Sequence, residues 1–240
     1  MGPDLKLAVE ELYRVYGSFP LAEGVDFCAH CVDPERVEAL RRTPLRELTP
    51  DQLGPLMFKA MSTWGDLPYF KHFLPRLLEL LAAGRMEDWS YSVFLPGKLA
   101  SCYDEGTDDE RDALTTFLHD WWMSTVLSWP SLSPVQDVLE TIEQSGRRLV
   151  PYLGAWPVAT SEPAARHLAN FVRDWMVSTV TDTQYWQDVD RWLRHDVPAA
   201  LLEAAVRDGG DPAVAAELAE AVDVLASYCS YRSEEEAFRR

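Results

Sequence analysis

The residue types best suited to chemistry lie in one short run, Phe27-Cys28-Ala29-His30-Cys31. Two thiolates at C-x2-C spacing can bind one Zn2+ at about 2.3 Å each, and a tetrahedral site then needs two further ligands. His30 places an imidazole between the sulfurs, but residues adjacent in sequence rarely ligate one tetrahedral ion together. His72, in Tyr69-Phe70-Lys71-His72-Phe73-Leu74-Pro75-Arg76, is the better third ligand to Cys28 and Cys31 because it opens a neighbouring helix; His30 is the alternative, and Asp26 and Asp33 are further oxygen donors. No second C-x2-C exists, and Cys102 and Cys229 stand alone. A zinc site, structural or catalytic, is therefore one reading. A redox pair is a second, without the βαβ setting that makes the motif thioredoxin-like. The reading that carries most weight is a pair of packed thiols at a helix start, with no cofactor.

Other pairs promise less. His119-Asp120 and His195-Asp196 are neighbours about 100° apart on a helix, so neither is a preassembled acid–base pair, and both read as solvated charges. The chain has no H-E-x-x-H, Walker A, G-x-G-x-x-G or G-x-S-x-G pattern, and no Glu-x-x-His pairs of the diiron type, which removes the easily read enzyme classes.

The elements that must position these residues are helices. Asp4 to Tyr16 carries Leu5, Val9, Leu12, Tyr13 and Tyr16 on one face. Helix starts follow from Asp33-Pro34, Thr49-Pro50-Asp51-Gln52, Thr107-Asp108-Asp109-Glu110, Ser133-Pro134 and Ser161-Glu162-Pro163, where a capping side chain precedes a proline or is followed three residues later by Glu or Gln. Asp208-Gly209-Gly210-Asp211-Pro212 reads as a stop, a turn and a new cap. No run alternates as a strand does. The fold class is all-α.

A phrase occurs twice. F-L-H-D-W-W-M-S-T-V (117–126) returns as F-V-R-D-W-M-V-S-T-V (171–180), with six of ten positions identical and 54 residues between copies. Leu114, Phe117, Leu118, Trp121, Trp122, Thr125 and Val126 follow the i, i+3, i+4, i+7 pattern of a wide apolar stripe, and Leu168, Phe171, Val172, Trp175, Met176, Thr179 and Val180 repeat it. Val135-Gln136-Asp137-Val138 then corresponds to Trp186-Gln187-Asp188-Val189, 51 residues on, and Pro151 to Pro198. A degenerate third copy precedes them, with Ser62-Thr63-Trp64 matching the Ser-Thr-Val endings and a helix over Tyr69–Leu81 containing Pro75. Asp120 and Asp174 lie off the stripe, and with Trp121 and Trp175 beside them they are candidates for a binding surface.

Helix pairs repeated at about 40 to 50 residues are the signature of α-solenoids, and the layout over Thr49 to Val206 resembles HEAT-type repeats. That resemblance implies stacked antiparallel helix pairs, or a compact bundle with internal duplication, and a protein-binding surface. The expected organisation is a single domain over 1–232: N-terminal helices with the cysteine segment (1–48), two or three helix-pair repeats (49–206) and a capping helix (207–232), followed by a flexible tail (233–240). The segment from Cys28 to Leu81, with C-A-H-C followed by F-K-A-M-S-T-W-G-D-L-P-Y-F-K-H-F-L-P-R-L-L-E-L, resembles an uncharacterised bacterial family and implies no activity or cofactor.

Composition bounds the rest. Of the 240 residues, 47% are apolar and the formal net charge is −17. A field of that sign repels nucleic-acid phosphates and anionic lipid, so neither is an expected partner. No run approaches the roughly 18 apolar residues of a membrane span, and the acidic start lacks a secretory signal's form. The expected location is the cytoplasm, in a bacterium, since only four of the 22 basic residues are lysine. The function this implies is non-enzymatic binding, through an acidic, Trp-rich surface, of another protein whose own surface is basic. An acidic inhibitor or immunity protein is one concrete form, and a zinc protein is the alternative.

Overall fold

A computed structural model describes residues 1–21, 24–86, 91–156, 161–177, 183–208 and 210–238, and every regular element among them is helical. In chain order these are α1 (Pro3–Tyr16), α2 (Pro34–Arg42), a 3-10 turn (Leu45–Glu47), α3 (Pro50–Lys59), α4 (Leu67–Ala82), α5 (Tyr91–Asp104), α6 (Asp108–Val126), α7 (Val135–Gln144), α8 (Val150–Ala155), α9 (Glu162–Val177), α10 (Gln184–Leu193), α11 (Asp196–Asp208) and α12 (Pro212–Phe238). The fold is all-α. No helix among the described residues is long and apolar enough to cross a membrane.

The helices start where capping side chains satisfy the free amides of a first turn. Thr49 and Gln52 form a capping box on α3. Thr107 and Glu110 do the same on α6, with Thr107 N–H donating to Glu110 Oε2 (2.9 Å) and Glu110 N–H to Thr107 Oγ1 (3.3 Å). Asp33 accepts from the Glu35 amide on α2, and Asp211 from that of Ala213 on α12. Each such cap contributes about 1 kcal/mol.

The chain divides into two compact units, one of residues 1–121 with 144–146 and one of 122–143 with 147–240. In the first, α1 packs along α4, burying Leu5, Leu12, Phe70, Phe73 and Leu77. Its buried ionic groups are paired, as burial requires. Lys71 Nζ meets Glu110 Oε2 at 2.9 Å with both side chains 6% exposed, and Tyr16 donates to the Glu110 carbonyl. Arg76 donates to the Leu48 carbonyl and to Glu79, which also accepts from Tyr13. In the second unit α12 packs on α9 and α11. Its core is aromatic: Trp156 lies 5.1 Å from Trp122, 5.6 Å from Phe171 and 5.3 Å from Trp192. The Trp122 and Trp156 indoles donate to the carbonyls of Tyr152 and Ala164.

Both copies of the repeated phrase are helical, in α6 and α9. In the first copy all seven stripe residues, from Leu114 to Val126, are buried. In the second, Leu168, Phe171, Val172 and Trp175 are buried; the Met176 side chain and Ser178-Thr179-Val180 fall outside the described residues. The internal stacking repeats as well: Phe117 and Trp121 lie 6.0 Å apart at 28°, Phe171 and Trp175 6.0 Å apart at 29°. The companion segments open α7 and lie in α10.

Two expectations need correction. Ser62-Thr63-Trp64 is not a helix end. Met61 takes a left-handed φ of 64° and Gly65 one of 66°, so this segment is a loop between α3 and α4, and only the Tyr69–Leu81 helix of the proposed third copy stands. Nor are residues 233–238 a loose tail, because α12 continues to Phe238; 239–240 lie outside the described residues. Charge there does not oppose helix: Glu and Ala are good helix formers, Arg232 pairs with Glu235 one turn on, and Ser233 bonds back to the Cys229 carbonyl.

Candidate functional site

The cysteine segment sits at the least helical corner of the N-terminal unit. Phe27 bridges Trp64 in antiparallel fashion. The Cys28 amide donates to the Thr63 carbonyl (2.9 Å) and the Gly65 amide to that of Asp26 (2.8 Å). Gly65 has to be glycine: its φ is positive, and a Cβ would fall 2.5 Å from the Tyr69 ring. The pairing holds Cys28–Cys31 as a tight turn, with the Cys31 and Val32 amides donating to the Cys28 carbonyl at 2.8 and 2.9 Å. Lys59 donates from Nζ to the Cys31 carbonyl.

Both cysteines are exposed, which overturns the packed-thiol reading: their turn lies beside a loop pairing and not under a helix. The Cys28 thiol is pulled below its ordinary value, first by a hydrogen bond from the Cys31 thiol, then by the amides of His30 and Cys31, and by the charge on Lys59. Cys31 is pushed up by its bond to Cys28. The other cysteines behave oppositely. Burial pushes buried Cys102 up to about 12 and raises Cys229 as well, so neither is a ready nucleophile.

The turn opens on a cleft of about 920 Å3, with Cys31 and Val32 at one edge, Trp64, Met57 and Phe58 among its walls, and Arg36, Lys59 and Arg85 as its cations. Asp33 and Asp51 are its carboxylates. The Trp64 indole N–H is buried with no hydrogen-bond partner among the described residues.

The structure brings Cys28 and Cys31 together but does not bring His72 to them. His72 Nδ1 lies 2.6 Å from the Phe19 carbonyl, and among the described residues no group of three or more His, Cys, Asp or Glu side chains could hold a metal ion. His30 is exposed beside the thiols. Among the described residues, the two thiols are therefore brought together without a third ligand.

The repeated aspartates open onto two separate surface depressions. Asp120, its side chain 20% exposed and 3.1 Å from His119 Nδ1, lines a shallow groove of about 390 Å3 with Asp4, Leu7, Ala8, Glu11 and Thr116. Leu7 is 69% exposed. Along α6, Asp108, Asp109 and Asp112 are exposed too. Asp174 is exposed and lines a depression of about 330 Å3 with Trp129, Gln136, Asp137, His167 and Asn170. The tryptophans beside them do not share these surfaces. Trp121 is 1% and Trp175 6% exposed, so both are core residues and the expectation that they present a binding face is withdrawn.

Sequence reasoning missed Leu7, Lys59 and Trp129. Leu7 carried a readable signal, since it lies about 200° around the helix from Leu5, off the apolar stripe of α1. Lys59 and Trp129 carried none, because what matters about each is a neighbour distant in sequence.

Comparison with protein families, with curated proteins and with solved structures returns no match to this chain.

Proposed function

We propose that the protein is a non-enzymatic, helical-repeat binding protein of HEAT-like layout, acting in the cytoplasm, and that it engages a protein partner with a basic surface through the acidic groove of α1 and α6. The observation that carries this reading is Leu7, an apolar side chain 69% exposed that shares its groove with the carboxylates of Asp4, Glu11 and Asp120. An apolar centre inside a charged rim is the anatomy of a protein interface. The net charge of −17 adds a long-range field that speeds encounter with a basic partner and falls with salt. Glu11 is engaged by Arg14 on its own helix, so Asp4 and Asp120 are the carboxylates that direct partner choice.

The test is affinity capture from the source cells at low and high salt, using the wild-type chain, Leu7→Glu, and the double variant Asp4→Lys/Asp120→Lys. Asp4 and Leu7 are exposed and Asp120 is half-buried, and an unchanged circular dichroism spectrum checks the fold of each variant. A specific partner should be held by wild type at low salt, released as salt rises, and bound at least about tenfold more weakly by each variant, as loss of an interface anchor implies. A partner held equally by all three proteins would overturn the reading.

A further inference from the structure

We propose that Cys28 and Cys31 are a redox-active dithiol that reduces small anionic disulfides at the edge of the cleft carrying Arg36, Lys59 and Arg85. The inference is independent of the binding function proposed above and uses a different face of the N-terminal unit.

Three observations converge on it. Both sulfurs are exposed, whereas Cys102 is buried and Cys229 is a single, half-buried thiol, so among the cysteines this is the pair that meets a solute. The turn closed by the Cys31 N–H and Cys28 carbonyl (2.8 Å) keeps the two Cα atoms within about 7 Å, overlapping the roughly 4.4–6.8 Å that a disulfide spans. The turn is also fixed from outside, by the pairing of Asp26 and Cys28 with Gly65 and Thr63 and by Lys59 on the Cys31 carbonyl. A dithiol held in bonding register is one that closes readily once one sulfur is oxidised. Two thiols without a third ligand among the described residues suit disulfide exchange better than a tetrahedral ion. The left-handed Met61 lies in the loop that pins the turn; such strain in a non-glycine residue gathers at functional sites.

The amides of His30 and Cys31 and the Cys31 thiol all donate toward the Cys28 sulfur, which makes Cys28 the attacking group. Its thiolate, having given its proton to solvent, attacks one sulfur of R–S–S–R. The S–S bond breaks, a Cys28–S–S–R mixed disulfide forms, and RS− leaves and takes a proton. Cys31 then loses its proton and attacks the Cys28 sulfur, forming the Cys28–Cys31 disulfide and releasing the second RS−, which is protonated in turn. The protein dithiol loses two electrons and the substrate disulfide gains them, one disulfide per chain. Among the described residues that line the cleft, three cations stand against the carboxylates of Asp33 and Asp51, a positive balance in a chain whose total is strongly negative. That favours an anionic disulfide, of which glutathione disulfide is the available probe.

The experiment treats the reduced full-length chain with glutathione disulfide and follows released glutathione and intact mass. Wild type is expected to release two glutathiones per chain and to finish two hydrogens lighter, with the new bond mapped to Cys28–Cys31. Cys31→Ser should stop at the mixed disulfide, with one glutathione retained on residue 28. Cys28→Ser should react at least about tenfold more slowly, and Cys102→Ser should change nothing. Neutral hydroxyethyl disulfide should react about tenfold more slowly than glutathione disulfide at low salt, the gap closing as salt rises. Both replaced cysteines are exposed, and an unchanged circular dichroism spectrum checks the fold. A wild-type product carrying glutathione on both cysteines, equal rates for the two serine variants, or one equivalent of zinc bound to the purified chain would each overturn the proposal.

Discussion

The two copies of the repeated phrase are the same packing unit in two settings. Their equivalence extends past the phrase itself: Thr107 and Ser161, also 54 residues apart, sit at the helix starts, and each accepts a hydrogen bond from an amide three residues on. Inside that frame many positions differ, and three of the differences change what the helix touches. Glu110, which closes the capping box of α6 and meets Lys71, is replaced by Ala164, whose carbonyl takes the Trp156 indole. Ala113 becomes His167, and the 54%-exposed His119 becomes Arg173, which pairs with Glu217 of α12 at 2.8 Å. The stripe that meets the core is kept. The positions that meet everything else are set by what covers each helix: α12 lies over α9, whereas the outer face of α6 is open and acidic. The duplicated copies teach that packing is the shared part of this fold, and that the outward face of α6 is where a binding role has room.

If the copies are one packing unit, the largest effects should match. Phe117→Ala and Phe171→Ala should each cost about 3–5 kcal/mol of stability, since each removes a buried ring stacked on a tryptophan. Urea titration followed by tryptophan fluorescence measures both, and a loss under about 1 kcal/mol at either one would break the equivalence. The next effect should separate the copies. Lys71→Ala strands the Glu110 carboxylate in the core, at a cost of about 3–5 kcal/mol, whereas Lys71→Met with Glu110→Gln removes both charges and should recover most of it. Equal losses for the single and double variants would mean that the Lys71 stem, and not the ion pair, holds the start of α6.

Much of this was legible in the sequence, for local reasons. Thr49, Thr107 and Asp211 marked helix starts because a cap acts within one turn, and the Phe117 and Phe171 stripes were readable because helical periodicity is local. What escaped depended on distant partners. Cys28 and Cys31 looked like packed thiols until the bridge between Phe27 and Trp64 placed them at an exposed turn. Trp121 and Trp175 looked like interface anchors because composition does not say which way a ring points. The run from Ser233 was taken for a tail because its charges were read as solvation, although the same residues favour helix. His72 lies one helix away in sequence, but its ring is engaged by the Phe19 carbonyl.

The smallest expected effect tests the divergence at Ala113 and His167. His167 is 4% exposed, its Nε2 lies 2.7 Å from the Ser128 carbonyl, and the Trp129 ring lies against it. A carbonyl only accepts, so Nε2 carries a proton. Burial, and then the neighbouring Arg166 charge, hold its pKa below the ordinary 6.5. Above about 6.5 the ring is neutral in folded and unfolded chains alike, and it contributes no pH dependence. As pH falls below that value the unfolded chain takes up a proton that the folded ring refuses, so stability drops until the folded pKa is reached. Ala113 gives the first copy no such loss. His167→Gln keeps a donor for Ser128 and removes the titration, so thermal midpoints between pH 8 and 5.5 should fall less for this variant than for wild type, and the two curves should run parallel above 6.5. Carboxylates elsewhere protonate in both proteins and cancel in the difference. Curves parallel across the whole range would place the acid sensitivity outside the second copy.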